Sequence, residues 1–331
     1  MYAIKTYELT KKFKDLTAVD QLNIEIEKGE LFGMLGPNGA GKTTTLKILS
    51  TLIKPTSGTA EVWGHNIETE KDAVRSNIGM VFQDPSLDIR LTGEENLDFH
   101  ARMYGLNKQK RKNRITEVLN LVELTEHKKT MVINYSGGMK RRLEIARGLM
   151  HFPNVLFLDE PTLGLDPQTR RRIWDYIKKM AREEEVTVIV TTHYMDEADY
   201  LCDRIAIMDF GEIVALDTSK NLKDTVGADV ISLQIDDGLE NFLEQLNNVD
   251  WVEKISETDG EINLNVQQGE TRIPEIVNLA QKTGTKIKSV NLREPTLEDV
   301  FLQYTGRTIR TQDGGAKALM KERVRSMRRR S

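Results

Sequence analysis

Three regimes of hydrophobic patterning divide this chain. Residues 1–35 read as strands: Leu22, Ile24 and Ile26 alternate with polar neighbours, and Leu31-Phe32-Gly33-Met34-Leu35 is an apolar run that opens onto a glycine-rich loop. Further runs at 155–158 and 186–190 are apolar or β-branched almost without interruption, as strands buried on both faces are, which is the habit of parallel sheets. Together they predict an α/β core, β-rich at its start, over residues 1–222. From about 84 to 150 the pattern turns helical and more polar, with Leu97, Ala101 and Tyr104 on one stripe and Ile115, Leu119 and Val122 on another. That stretch is expected to be a helical subdomain inserted into the core.

Residues 223–306 start again with another rhythm. A strand is expected over 230–235, then a helix carrying Leu239, Phe242, Leu243 and Leu246. After an Asp259-Gly260 turn, Ile262, Leu264 and Val266 alternate; Ile273, Ile276, Val277 and Ala280 return to helical spacing, and 287–292 is extended. The order β-α-β-β-α-β predicts a small ferredoxin-like α+β domain. A last helix starts at Thr296, capped through the Thr296-x-x-Asp299 spacing, with Leu297, Val300, Phe301 and Tyr304 as its stripe.

Length and charge add limits. At 331 residues the chain suits about two domains. Cys202 is the sole cysteine, which excludes an internal disulfide and a cysteine-rich metal site. The N-terminus has no signal-like apolar segment, and no apolar run approaches the roughly 18 residues a membrane span needs, so any membrane role is expected to come through a partner or the surface. The net charge of −4 is uneven: residues 307–331 carry nine Lys/Arg against two Asp/Glu, or +7, leaving −11 on residues 1–306. Within that tail Met320, Val324 and Met327 recur at helical spacing among arginines and lysines. The tail 316–330 is therefore a candidate contact for anionic lipid, hinged at Gly314-Gly315; a solvated, frayed tail is the plain alternative.

The chemistry gathers around phosphate. Gly36-Pro37-Asn38-Gly39-Ala40-Gly41-Lys42-Thr43 fits G-x-x-x-x-G-K-[ST], whose glycines let backbone N–H groups approach phosphate oxygens at a helix N-terminus. Lys42 is expected at the β/γ-phosphates of a nucleotide and Thr43 on Mg²⁺. Asp159 and Glu160 end a buried strand, at the sheet edge where open α/β folds bind ligands. Asp159 is the candidate metal ligand, and Glu160 the candidate base for an attacking water. His193 follows another buried strand, where its ring could meet both a γ-phosphate oxygen and Glu160. Gln83 would offer its amide to Mg²⁺ or the water. Ser136 can cap a helix that opens with Gly137 and Gly138, a second anion site. Since the loop at Lys42 already provides one, this second site makes sense closing over a nucleotide bound by another copy of the chain. The other four histidines show no metal-ligand spacing.

In order and spacing these motifs resemble the ATPase subunit of ATP-binding cassette (ABC) transporters over residues 1–220. The resemblance implies that Phe13 stacks on adenine and that Gly36 to Thr44 is the Walker A loop. It makes Gln83 the Q-loop, Ser136 to Met139 the signature, Asp159 and Glu160 the Walker B pair, Leu165-Asp166 the D-loop and His193 the switch histidine. The family's usual Leu-Ser-Gly-Gly-Gln departs here at Tyr135 and Met139. With REPTLEDVFLQYTGR at 293–307, that variant is similar to the daunorubicin-type drug-resistance ATPases that serve ABC-2 class permeases. The resemblance implies ATP and Mg²⁺, a homodimer sandwiching two ATPs, a separate integral-membrane permease exporting a drug-like compound, a location on the cytoplasmic face of the membrane, and no nucleic-acid partner. Two other readings remain open at this point: a soluble ABC ATPase acting on ribosomes or DNA, although such chains usually carry two cassettes or a long coiled-coil insertion, and a nucleotide-gated regulator.

Overall fold

A computed structural model describes residues 1–306 except 15, 85, 227, 228, 238, 259 and 260. The basic tail and the Asp259-Gly260 turn therefore lie outside the described residues. The chain divides into two compact units, the first spanning Met1–Leu216 and the second beginning at Asp217.

The first unit opens with strands β1 (Tyr2–Phe13), β2 (Leu16–Leu22), β3 (Glu25–Glu27) and β4 (Leu31–Leu35), then helix α1 (Lys42–Leu49). Strands β5 (Ser57–Val62) and β6 (His65–Asn66), helix α2 (Lys71–Asn77) and strand β7 (Ile78–Val81) follow, and then three helices, α3 (Gly93–Met103), α4 (Lys108–Leu121) and α5 (Gly137–Gly148). The unit closes with β8 (Val155–Asp159), α6 (Pro167–Glu183), β9 (Thr187–Thr192), α7 (Met195–Leu201), β10 (Arg204–Asp209) and β11 (Glu212–Asp217).

Two sheets result. An antiparallel one runs β2-β1-β5-β6, with β3 also on β1. The other runs β11-β10-β4-β9-β8-β7, and its pairs from β10 to β7 are parallel. Every residue of β4, β8 and β9 is buried, as their unbroken apolar runs require. Leu46 and Ile48 of α1 join Ile4, Leu9 and Val19 of the antiparallel sheet and Phe32, Phe157 and Ile189 of the parallel one in a single core. The helix that follows the glycine loop is thus fixed by packing, and so is the loop's exit.

In the inserted helices Leu97, Ala101, Ile115, Leu119 and Val122 are buried as their spacing predicts. Tyr104 is not: it caps the C-terminus of α3, is 41% exposed and stacks on His151 at a ring distance of 3.8 Å. Thr92 and Glu95 form a reciprocal capping box on α3, Asn107 caps α4 and Asp166 caps α6, each accepting a backbone N–H.

The second unit comprises α8 (Ser219–Asp224), β12 (Asp229–Asp237), α9 (Leu239–Asn247), β13 (Val252–Thr258), β14 (Glu261–Val266), α10 (Gly269–Thr283), β15 (Lys286–Arg293) and α11 (Leu297–Thr305). The antiparallel sheet order β13-β14-β12-β15 is that of the ferredoxin-like split β-α-β. Ile231, Leu233, Ile262 and Leu264 pack with Phe242, Leu246 and Ile276 of the two crossover helices. The capping box at Thr296 and Asp299 is formed, and Arg293 reinforces it at 2.8 Å from Asp299. Val277 and Tyr304, placed by spacing on buried stripes, lie at the surface instead.

Candidate active site

Four neighbouring parallel strands, β4, β9, β8 and β7, end on one edge of the sheet. The segments leaving them carry the Lys42 loop, His193, the Asp159-Glu160 pair and Gln83 respectively. Residues far apart in sequence therefore meet because strand order, not chain order, decides which loops are neighbours.

The loop is built around glycine. Gly41 caps α1 with φ 104°, a left-handed conformation, and a Cβ there would stand 2.4 Å from the Ala18 carbonyl oxygen. Lys42, 4% exposed, donates through Nζ to the carbonyls of Gly36 (2.6 Å) and Pro37 (3.0 Å) and lies 3.8 Å from Glu160 Oε1. Burial pushes its ammonium pKa down, and the carboxylates of Glu160 and Asp159 oppose that shift. Thr43 Oγ1 donates to Asp159 Oδ1 at 2.9 Å, and Thr191 Oγ1 donates to the same oxygen at 2.6 Å. A hydroxyl and a carboxylate side by side are hard oxygen donors. They suit Mg²⁺, which takes few protein oxygens, one or two of them carboxylate, and completes its shell with phosphate oxygens and water.

Glu160 follows β8 with φ 46°, a left-handed conformation in a non-glycine residue. Its N–H donates to both the carbonyl and the hydroxyl oxygen of Thr191, each at 3.1 Å. Its Oε1 lies 3.3 Å from His193 Nδ1, so His193 protonated there donates to the carboxylate. Burial alone would raise the Glu160 pKa, but the His193 hydrogen bond and the charges of Lys42 and His193 together hold it below the usual glutamate value. The carboxylate is consequently ionised at neutral pH.

A cavity of about 380 Å³ is lined by Phe13, by the loop residues Asn38, Gly39, Ala40, Gly41, Lys42, Thr43 and Thr44, and by Gln83 and Glu160. Phe13, 45% exposed at the end of β1, presents its ring there, with Lys11 Nζ 5.0 Å from the ring centre. Gln83 is exposed. A second cavity of about 240 Å³ shares Gln83 and Glu160 and adds Gly137 and Leu165. Ser136, exposed, caps α5 by accepting from Met139 N at 3.2 Å, and Gly137 is exposed beside it. Gly138 is buried, and a Cβ there would meet Thr169 Cγ2 at 2.5 Å. Asp166 spends its carboxylate on Thr169 N at 3.0 Å. Within one chain, then, Ser136 and Asp166 do not line the Lys42 cavity, whereas Phe13, Gln83 and Glu160 do. Tyr135 is buried and donates to the His127 carbonyl at 2.7 Å, so its departure from leucine serves packing under α3.

Sequence reasoning missed Arg141. It lies on α5, 7% exposed, and its guanidinium reaches carbonyls on both sides of the cavities: Phe82, Asp159, Glu160 and Pro161. The available signal was a charged pair, Arg141 and Glu144, in phase with the buried positions Gly138, Ile145 and Gly148.

The sequence profile of the ABC transporter family matches residues 19–163, and that of the C-terminal domain of DrrA1-3-like ATP-binding proteins matches 218–305. The linearmycin resistance ATP-binding protein of Bacillus subtilis is 39% identical over 310 residues, covering 93% of this chain and 99% of that protein. The chain belongs to the ABC transporter ATP-binding family. The daunorubicin/doxorubicin resistance ATP-binding protein of Streptomyces peucetius is 37% identical to this cassette over 310 residues, 92% of either chain. Among solved structures, the ATP-binding cassette MJ0796 in a dimeric post-hydrolysis state bound to ADP and Pi superposes with a TM-score of 0.58 at 30% identity, over 65% of this chain and 98% of that one. As an ABC ATPase the cassette binds ATP and hydrolyses it to ADP and phosphate. Among the described residues no helix is long and apolar enough to cross a membrane.

Proposed function

We propose that this cassette is the ATP-hydrolysing subunit of a drug exporter, a homodimer beneath a separate ABC-2 type permease on the cytoplasmic face of the membrane. The observation that carries the catalytic part is Glu160, an ionised carboxylate in a left-handed turn facing the Lys42 cavity, with His193 on one oxygen. In this reading Phe13 holds adenine, and Lys42 with the N–H groups of residues 36–44 holds the phosphates. Thr43, Asp159 and Gln83 would hold Mg²⁺, which when bound would neutralise phosphate charge. Glu160 accepts a proton from the water attacking the γ-phosphorus. His193 keeps that carboxylate aimed and reaches the γ-phosphate.

Ser136, Gly137, Gly138 and Asp166 act on the partner's nucleotide, which accounts for their standing apart from the Lys42 cavity of their own chain. Closure over two ATPs and reopening after hydrolysis would then drive the permease, because ATP favours the closed dimer. Export of a drug-like compound is supported by the relatives, two of which are resistance ATP-binding proteins matching both units. A ribosome- or DNA-directed ATPase and a nucleotide-gated regulator have no observation in their favour. The tail 316–330, with its clustered arginines, would add contact with anionic lipid.

The test is purification of the tagged chain in gentle detergent, with hydrolysis measured before and after Lys42→Ala. A co-purifying multi-span membrane protein and activity lost in Lys42→Ala are expected. Ribosomal proteins or nucleic acid in its place, or activity indifferent to Lys42, would overturn the reading.

A further inference from the structure

We propose that Arg141 is a positioning residue for hydrolysis: one guanidinium ties the helix that begins at Ser136 to both Glu160 and Gln83 of the same chain. The inference rests on the roles assigned above to Ser136, Gln83 and Glu160.

The geometry is that of a clamp. Nε donates to the Pro161 carbonyl at 2.7 Å, Nη2 to those of Asp159 at 3.0 Å and Glu160 at 3.2 Å, and Nη1 to that of Phe82 at 2.7 Å. Nη1 also meets Glu144 Oε2 at 3.0 Å, while Glu144 Oε1 accepts from Ser86 N at 2.8 Å. Both partners are buried, Arg141 at 7% and Glu144 at 2% exposure. A buried ion pair is costly unless its remaining donors and acceptors are satisfied, and here they are satisfied by the backbone on either side of the candidate base and just before Gln83. Phe82 and Ser86, the first turns of α5 through Arg141 and Glu144, and residues 159–161 become one hydrogen-bonded body.

Two consequences follow. A left-handed glutamate persists when its surroundings over-determine it, and Arg141 holds the carbonyls of Glu160 and of both its neighbours. Removing the guanidinium frees that turn, so the carboxylate loses its aim without leaving the site. In addition, α5 starts at the residue assigned to the partner's nucleotide and, less than two turns later, grips the turn of its own base. Displacement of α5 by one nucleotide is therefore carried to the residues acting on the other. A lysine cannot replace the clamp, because its donors radiate from one nitrogen whereas the planar fork spans four carbonyls. Arg142 is a natural control: its guanidinium turns away to the Val122 carbonyl at 2.9 Å and the Tyr176 hydroxyl at 3.0 Å.

The test compares full-length wild type, Arg141→Met, Arg141→Lys and Arg142→Met by steady-state phosphate release, by equilibrium binding of a fluorescent ATP analogue and by thermal melting. For Arg141→Met we expect kcat to fall about 100-fold, the scale set by roughly ångström misplacement of a reacting group, with nucleotide affinity changed less than about threefold. Arg141→Lys should recover part of that loss, and Arg142→Met should stay near wild type. Retention of kcat by Arg141→Met, loss of affinity in step with kcat, or an equal loss in Arg142→Met would overturn the proposal. If Arg141→Met fails to fold, Arg141→Lys decides, and a wild-type kcat there sinks the clamp. Wild-type hydrolysis insensitive to Lys42→Ala would instead indict the underlying assignment of the site.

Discussion

Replacing Glu160 by glutamine separates the two jobs its surroundings give it. The amide has nearly the same shape, and its oxygen can still accept from His193 Nδ1, now 3.3 Å away, so the left-handed turn and its two bonds to Thr191 should survive. What disappears is the proposed proton acceptor. A positioned general base contributes about 10²- to 10⁴-fold, so kcat should drop by that factor, or about 2.7 to 5.5 kcal/mol in barrier height. Charge moves the other way. Glu160 Oε1 stands 3.8 Å from Lys42 Nζ, a gross attraction of about 4 kcal/mol at an effective dielectric near 20, much of it offset by desolvation. Deleting that carboxylate leaves the cavity more positive, so the polyanionic nucleotide should bind at least as tightly as to wild type. The assay is phosphate release paired with titration of a fluorescent ATP analogue. Turnover at the wild-type rate would refute the assignment of the base, and binding weakened tenfold or more would refute the electrostatic half of the reasoning.

Acidification probes the same carboxylate. Its folded pKa lies below the ordinary 4.5, so it contributes stability that is present above the unfolded value and lost as pH falls through the lower folded one. The contribution of the Glu160 carboxylate, read as the stability difference between wild type and Glu160→Gln in urea melts, should accordingly shrink as pH falls below about 4.5. A difference that stays unchanged as pH falls through about 4.5 toward about 3 would contradict this. Gly138→Ala places a methyl 2.5 Å from Thr169 Cγ2 and should cost about 1 to 3 kcal/mol by overpacking. Adding Thr169→Ser removes the opposing methyl, and the pair should show a favourable coupling of about 0.5 to 3 kcal/mol in a double-mutant cycle. Strict additivity would mean that the contact does not set the spacing of α5 and α6.

The parts of the site legible in the sequence were those written in contiguous residues. A buried strand followed by Gly36 to Thr43 has few structural solutions. The positions after β8 and β9 could be placed at the sheet edge because unbroken apolar runs mark parallel strands. Periodicity was less informative about cover: it grouped Tyr104 with Leu97, Val277 with Ile276 and Tyr304 with Phe301, but which members lie under another element depends on how helices cross, and all three tyrosine or valine positions are exposed. Arg141 could be placed on a buried face by its phase with Glu144, but what it binds could not be read for a related reason. Its partners at Phe82 and at 159–161 are distant in sequence and are backbone carbonyls, which carry no residue signature. Tyr135, a departure in the motif, found its reason only in the packing beneath Gly93 and the bond to His127.

The proposed dimer holds each ATP between Lys42 of one chain and Ser136 of the other. Mixing chains carrying Ser136→Arg with chains carrying Lys42→Ala tests it most directly. With shared sites, neither variant alone hydrolyses ATP. Random pairing makes half the dimers mixed, each with one intact site, so the mixture should regain up to about a quarter of the wild-type rate. Ser136→Arg chains that hydrolyse ATP at the full wild-type rate by themselves would contradict the shared site.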